Sequence, residues 1–150
     1  MPAALQLFRK FLTLLAQFSR KGFFRDQGLL HYFLKINDLN SLLIHPVAGF
    51  SFESFVIEEI IRGLQATMAT QLTFNYYRTI DKSEIDLVID GRFGPIPIKI
   101  KLNSTVNRTA LRGLKNFLAD TKTNYAILIN RGKRIELLTD KIIQIPVNYL

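Results

Sequence analysis

Glu-Ile-Asp-Leu-Val-Ile at residues 84–89, Asp-Gly at 90–91 and Pro-Ile-Lys-Ile-Lys-Leu at 97–102 decide how this chain folds. Both apolar runs are rich in β-branched residues and are parted by a turn signal, the pattern of two neighbouring antiparallel strands. Side chains two apart on a strand share a face, so Glu84 and Asp86 are expected to point the same way, as are Lys99 and Lys101 on the next strand. Acids and lysines then gather at one side of the sheet, where Glu53 from an upstream helix can join them.

Just ahead of this pair, residues 72–78 read as a third strand, joined to it through Asp81-Lys82-Ser83, which makes a three-stranded antiparallel meander. A helix is predicted over 109–119 with Leu111, Leu114 and Leu118 inward, followed by strands at 125–129, 134–138 and 142–145. The first strand after this crossover helix can pair beside the earlier sheet. Arg131-Gly132-Lys133 reads as a hairpin connection, with glycine supplying the positive φ such turns need. Upstream, Pro46 suits the first turn of a long helix reaching about residue 66. Phe52, Phe55, Val56, Ile60 and Leu64 form its apolar face, and Glu53, Glu58 and Glu59 lie elsewhere around it. Residues 37–45 read as a connection or a loose helical turn, Asp26 as the cap of a helix over 28–34, and Phe23-Phe24 as a short extended piece. Leu5, Phe8, Leu12 and Leu15 mark an amphipathic helix over 4–18. The fold class is α/β (α+β): a central mixed sheet flanked by helices in one domain over 1–150, with a helical part over about 1–45 and the core over about 46–150.

Composition narrows the chemistry. The absence of cysteine removes disulfides, thiolate zinc sites and cysteine nucleophiles, and two histidines cannot build a histidine-rich metal cluster. Any metal must be held by oxygen, which leaves Mg²⁺ or Mn²⁺. His31 and His45 stand in no Ser or Asp arrangement suggestive of a triad, and hydrogen bonding at helix ends or turns is the expected role. A net charge of +8 favours an anionic partner, DNA or RNA, because neutralising phosphates releases counterions. Arg78, Arg92, Lys115, Arg131, Lys133 and Arg134 form either a phosphate-tracking surface or a solvated basic face. Tyr76 and Tyr77 either stack on bases or pack in the sheet. The first 25 residues hold five cations and no acid among apolar residues. Arg9-Lys10 interrupts them too early for a spanning helix, so a core helix of a cytoplasmic protein without membrane insertion is expected.

Together, the Glu84–Ile89 and 97–102 segments resemble the core of the PD-(D/E)XK nuclease superfamily. More closely, the chain is similar to domain of unknown function 4143, which follows an AAA-type ATPase module in many predicted prokaryotic ATPases. That resemblance rests on Phe-Phe-Arg-Asp-Gln-Gly-Leu-Leu-His at 23–31, His-Pro-Val-Ala-Gly at 45–49, Phe-Glu-Ser-Phe-Val-Ile-Glu-Glu at 52–59 and Tyr-Arg-Thr at 77–79, in that order ahead of Asp86. It implies a nuclease-like mixed sheet, and a Mg²⁺ site in which acids matching Glu53, Asp86 and position 99 hold the ion while the lysine matching Lys101 stabilises developing charge.

Three departures bear on that implication. Position 99 is lysine where the family carries an acid; at about 4 Å and an effective dielectric near 20, exchanging attraction for repulsion toward a cation costs on the order of several kcal/mol. The first helix runs almost directly into Phe23-Phe24, where relatives insert a small helix-turn-helix-like region. No glycine-rich loop ending in Gly-Lys-Ser or Gly-Lys-Thr occurs in these residues. The expectation is a catalytically inactive accessory domain that needs no cofactor and contacts nucleic acid, a partner protein or a separate ATPase chain. Two alternatives stay open: a Mg²⁺- or Mn²⁺-dependent DNA endonuclease working through Asp86, Glu53 and Lys101, and a truncated ATPase fragment without an independent role. Glu53 and Asp86 are correspondingly either metal-ligand remnants or ion-pair partners of Lys99 or Lys101.

Overall fold

The computed structural model describes residues 25–78 and 84–150. The helix expected over 4–18, the extended Phe23-Phe24 piece and the turn at 81–83 lie outside the described residues. Asp26 caps helix α1 (Gln27–Phe33), its carboxylate accepting the Leu29 N–H at 3.0 Å. The stretch expected to be a loose connection is a true if short helix, α2 (Leu39–Ile44). Asp38 organises it by accepting both the backbone N–H and the hydroxyl of Ser41, at 2.9 and 2.7 Å, and these bonds hold the Asp38 carboxyl below its ordinary range. Helix α3 (Ala48–Gln65) begins two residues after Pro46, with no side-chain cap.

Strands β1 (Thr73–Arg78), β2 (Glu84–Asp90) and β3 (Ile96–Ile100) form the expected antiparallel meander. The turn from β2 to β3 closes with the Gly94 N–H on the Gly91 carbonyl at 3.0 Å and places Gly94 at φ +80°. Helix α4 (Arg108–Thr121), capped by Asn107, then returns the chain so that β4 (Ala126–Asn130) pairs parallel to β3. Strands β5 (Glu136–Leu137) and β6 (Ile142–Pro146) complete a six-stranded mixed sheet of order β1-β2-β3-β4-β6-β5.

That order corrects the hairpin expected at Arg131-Gly132-Lys133. β4 pairs parallel with β6, and β5 reaches the sheet only as a two-residue antiparallel edge beyond β6. The physical reason is burial: β6 carries Ile142, Gln144 and Pro146 inside, whereas both residues of β5 are exposed. A short exposed strand belongs at an edge and an apolar one in the interior. Gly132 does not have the positive φ expected of it.

Two apolar layers sandwich the sheet. On one side α4 buries Leu114, Phe117 and Leu118 against Ile85, Val88, Leu128 and Ile142, with Tyr77 set edge-to-face on Phe117 at 4.8 Å. Tyr77 is therefore a packing residue. On the other side α3 buries Val56 and Ile57 against Leu87, Ile89, Ile98, Ile100 and Ile129. Phe55, expected on the apolar face, is 46% exposed, because the stripe toward the sheet runs through Phe52, Val56, Ile60 and Leu64.

Glu58 is the converse case. It is buried with its carboxylate held by Arg25, at 2.7 Å from Nη2, and by Arg62 at 3.1 Å one turn along the helix. Those bonds, Arg25 first, outweigh burial and hold the Glu58 carboxyl below the usual range. With a depressed native pKa, the stabilisation is complete above the unfolded value of about 4.3 and is lost as pH falls through the native one. Glu58→Gln should therefore be less stable than wild type near neutrality, with the gap closing below about pH 4; urea midpoints measured across that window check it.

Candidate functional site

The site begins with an irregularity in β2. Between Asn75 and Tyr77 of β1 there is one intervening residue, but between their partners Val88 and Ile85 there are two, so β2 carries a bulge across Asp86 and Leu87. Its effect is visible in packing: Ile85 and Val88, three apart, both face α4, while Leu87 and Ile89 face α3. Alternation holds over Glu84 and Ile85 and breaks at Asp86 and Leu87. Bulges bend a strand and re-aim side chains.

At the same place the β2–β3 ladder stops. Its pairs are Ile89 with Ile96, Val88 with Pro97 and Leu87 with Ile98, and Asp86 and Lys99 do not continue it. The strands splay, and the Asp86 side chain fills the gap. Its Oδ2 accepts the Ile100 backbone N–H at 2.7 Å, and its Oδ1 accepts from Lys99 Nζ at 2.9 Å. Both side chains are inside, with 1% of Asp86 and 9% of Lys99 accessible. The carboxylate thus replaces a missing strand–strand hydrogen bond and neutralises a buried ammonium in the same contact. Lys99 leaves β3 on the side away from Ile98 and Ile100, and so emerges toward α4.

The other expected site residues are placed differently. Glu84 pairs with Arg78 at 3.2 Å across β1, and also engages Tyr76, whose hydroxyl is pushed to a higher pKa first by burial and then by this carboxylate. The two acids of β2 therefore serve opposite neighbours, Glu84 toward β1 and Asp86 toward β3. Glu53 is half-buried on α3, one turn ahead of Val56 and Ile57 on the stripe that meets the sheet, and it has an interaction of its own. It does not lie elsewhere around the helix as expected. Lys101 continues the register, its N–H donating to Ile129 at 2.9 Å, and its side chain has no ion-pair partner among the described residues. Among the described residues no three acids or histidines are grouped to hold a metal ion.

One grouping was invisible in sequence spacing. His31 Nε2 lies 2.7 Å from Ser51 Oγ, bringing together α1 and α3 across 20 positions, so a histidine does have a serine beside it. The Ser51 hydroxyl donates to Gln27 Oε1 at 3.1 Å, which orients its proton away from the imidazole, and Ser51 is 3% exposed. This is a polar tie between helices and lacks the geometry of an activated nucleophile. It borders a cavity of about 380 Å³ whose apolar wall includes Leu42, Phe52, Leu102 and Val147. His45 fulfils the turn role expected of it, its Nδ1 accepting the Val47 N–H at 3.1 Å.

Residues 48–150, which hold the whole sheet and both helices packed on it, match the family described as Domain of unknown function (DUF4143). The chain belongs to this family. Uncharacterized proteins of Mycobacterium bovis and Mycobacterium tuberculosis are each 29% identical to it over 132 residues, 88% of this chain and 28% of theirs. The chain thus spans 28% of the length of the curated relatives it matches. No solved structure matches it significantly. Among the described residues no helix is long and apolar enough to cross a membrane.

Because the Asp86–Lys99 pair is buried, removing one member strands the other charge. Asp86→Ala should destabilise the domain by about 3–5 kcal/mol. The double variant Asp86→Leu/Lys99→Met, which removes both charges but leaves the Ile100 N–H without its acceptor, should recover part of that deficit; chemical denaturation of the three proteins measures it.

Proposed function

We propose that this DUF4143 domain is a PD-(D/E)XK nuclease-like fold whose catalytic centre is closed, and that it works as a nucleic-acid-binding accessory domain in an ATPase-associated context. The observation that carries this reading is the 2.9 Å contact between Lys99 Nζ and Asp86 Oδ1. In a working centre of this kind a divalent ion would stand against Asp86, with a second carboxylate at position 99. Here an ammonium takes the ion's place, supplies its positive charge and leaves the acid with almost no surface turned to solvent. Lys99 thus acts as a built-in substitute for the metal in holding the splayed strands together, without any capacity to activate water.

Support for the fold comes from the arrangement around the pair. A mixed sheet flanked by helices, with an acid at the point where two strands part and a lysine two residues beyond position 99, agrees with what the resemblance implies. Support for nucleic-acid contact is the net charge of +8. The ATPase context rests on the resemblance, and the greater length of the relatives leaves room for such a module.

Incubation with supercoiled plasmid and Mn²⁺ should give no cleavage above background. Cleavage that Asp86→Ala abolishes would show the centre to be open. Lys99→Glu provides a further measurement: with two carboxylates facing each other, the variant should be less stable alone and should gain melting temperature on adding Mn²⁺, while wild type does not respond. A wild-type response to Mn²⁺ that Asp86→Ala removes would overturn the substitution of ammonium for metal. The binding arm requires that wild type bind a DNA duplex with an affinity that falls steeply with salt; absence of binding at low salt would remove it.

A further inference from the structure

We infer that the loop leaving β4, residues 131–134, is a preorganised phosphodiester-binding element, separate from the closed Asp86–Lys99 centre. The inference rests on the nucleic-acid reading above and says where on the molecule that contact lies.

The loop is held from beneath by two buried amides. Asn130, with no exposed surface, accepts the Gly132 N–H on Oδ1 at 2.8 Å and donates from Nδ2 to Gln144 Oε1 at 3.0 Å and to the Ser104 carbonyl at 3.3 Å. Gln144 Nε2 in turn donates to the Arg134 carbonyl at 3.3 Å. Every polar atom of this pair is engaged by backbone or by the other amide, and the loop backbone it fixes is that of residues 132 and 134. Glycine is required at 132 because a Cβ there would meet Asn130 Oδ1 at 2.8 Å and Gln144 Nε2 at 2.9 Å. Satisfied buried polar networks rigidify what they touch.

What is held rigid is a run of cations. Arg131, Lys133 and Arg134 are all exposed, and among the described residues none of them forms an ion pair. Arg78, by contrast, is engaged by Glu84 at 3.2 Å, and Lys115 projects from the middle of α4. Topology places the loop at the carboxyl end of β4, beside the carboxyl end of β3, where Lys101 has no ion-pair partner among the described residues. Fixing three such cations on a backbone that cannot relax lowers the ordering penalty for an anionic polymer, and the two guanidiniums favour phosphate oxygens.

The test is anisotropy of a short fluorescein-labelled DNA duplex titrated with the full chain at several salt concentrations. Removing one phosphate contact should lower the slope of log K against log salt by about 0.9, so Arg131→Gln/Lys133→Gln/Arg134→Gln should lower it by roughly 2 to 3. Lys122→Gln/Lys141→Gln, which neutralises two exposed cations ahead of β4 and β6 at the amino ends of those strands, should leave it unchanged. Gly132→Ala keeps every charge but displaces the loop, and should weaken binding several-fold at fixed salt. Wild type that binds with a slope untouched by the triple variant overturns this assignment while leaving nucleic-acid binding intact; wild type that does not bind removes both. Polyglutamate competing as well as DNA of equal charge would show an acidic-protein surface and would overturn it too.

Discussion

The contact between Asp86 and Lys99 is the constraint around which the sheet is arranged. Two strands that part company inside a protein expose backbone groups with no partner, and an unsatisfied buried N–H is expensive. Asp86 meets that need by reaching from the bulge in β2 to the Ile100 N–H of β3, at 2.7 Å. Having done so it is a buried anion, and a buried anion requires a counter-charge. Lys99, two residues from Lys101 and reaching the α4 side, supplies it. Each step forces the next, from the irregular register to the carboxylate and then to the ammonium.

That sequence of requirements gives position 99 two alternative solutions. A carboxylate there would call for a divalent cation to sit between two acids; a lysine supplies the positive charge covalently and dispenses with the ion. The second solution is self-contained, with the positive charge 2.9 Å from Asp86 Oδ1. It also leaves Lys101, just past the end of β3, with no ion-pair partner among the described residues, at the same end of the sheet as the loop following β4. The Lys101 cation and the cations fixed by the Asn130–Gln144 amides thus lie along the carboxyl ends of neighbouring parallel strands.

Away from that edge the polar groups of the interior serve packing. Glu58, buried on α3, holds Arg25 against that helix, and the His31–Ser51–Gln27 chain ties α1 to it. Both fasten the segment ahead of α3 to that helix by satisfied hydrogen bonds, where Tyr32, Phe33 and Leu39 remain largely exposed. The cavity against Phe52 and Val147 lies in this same region of incomplete burial.

Local pattern alone was enough for much of this. Periodicity and turn residues placed the meander, the crossover helix and the cap at Asp26 within a residue or two, because those features depend on contacts a few positions apart. The residue types at 84–86 and 99–101 likewise announced an acid–lysine pairing across adjacent strands. What local pattern could not supply was anything set by partners distant in the chain: the insertion of β6 between β4 and β5, the bulge across Asp86 and Leu87, and the burial of Glu58 against Arg25. Gly132 marks the difference most plainly. In sequence it reads as a residue needed for its φ, and only the folded chain, by bringing Asn130 and Gln144 within 3 Å of where a side chain would begin, shows that it is needed for its lack of one.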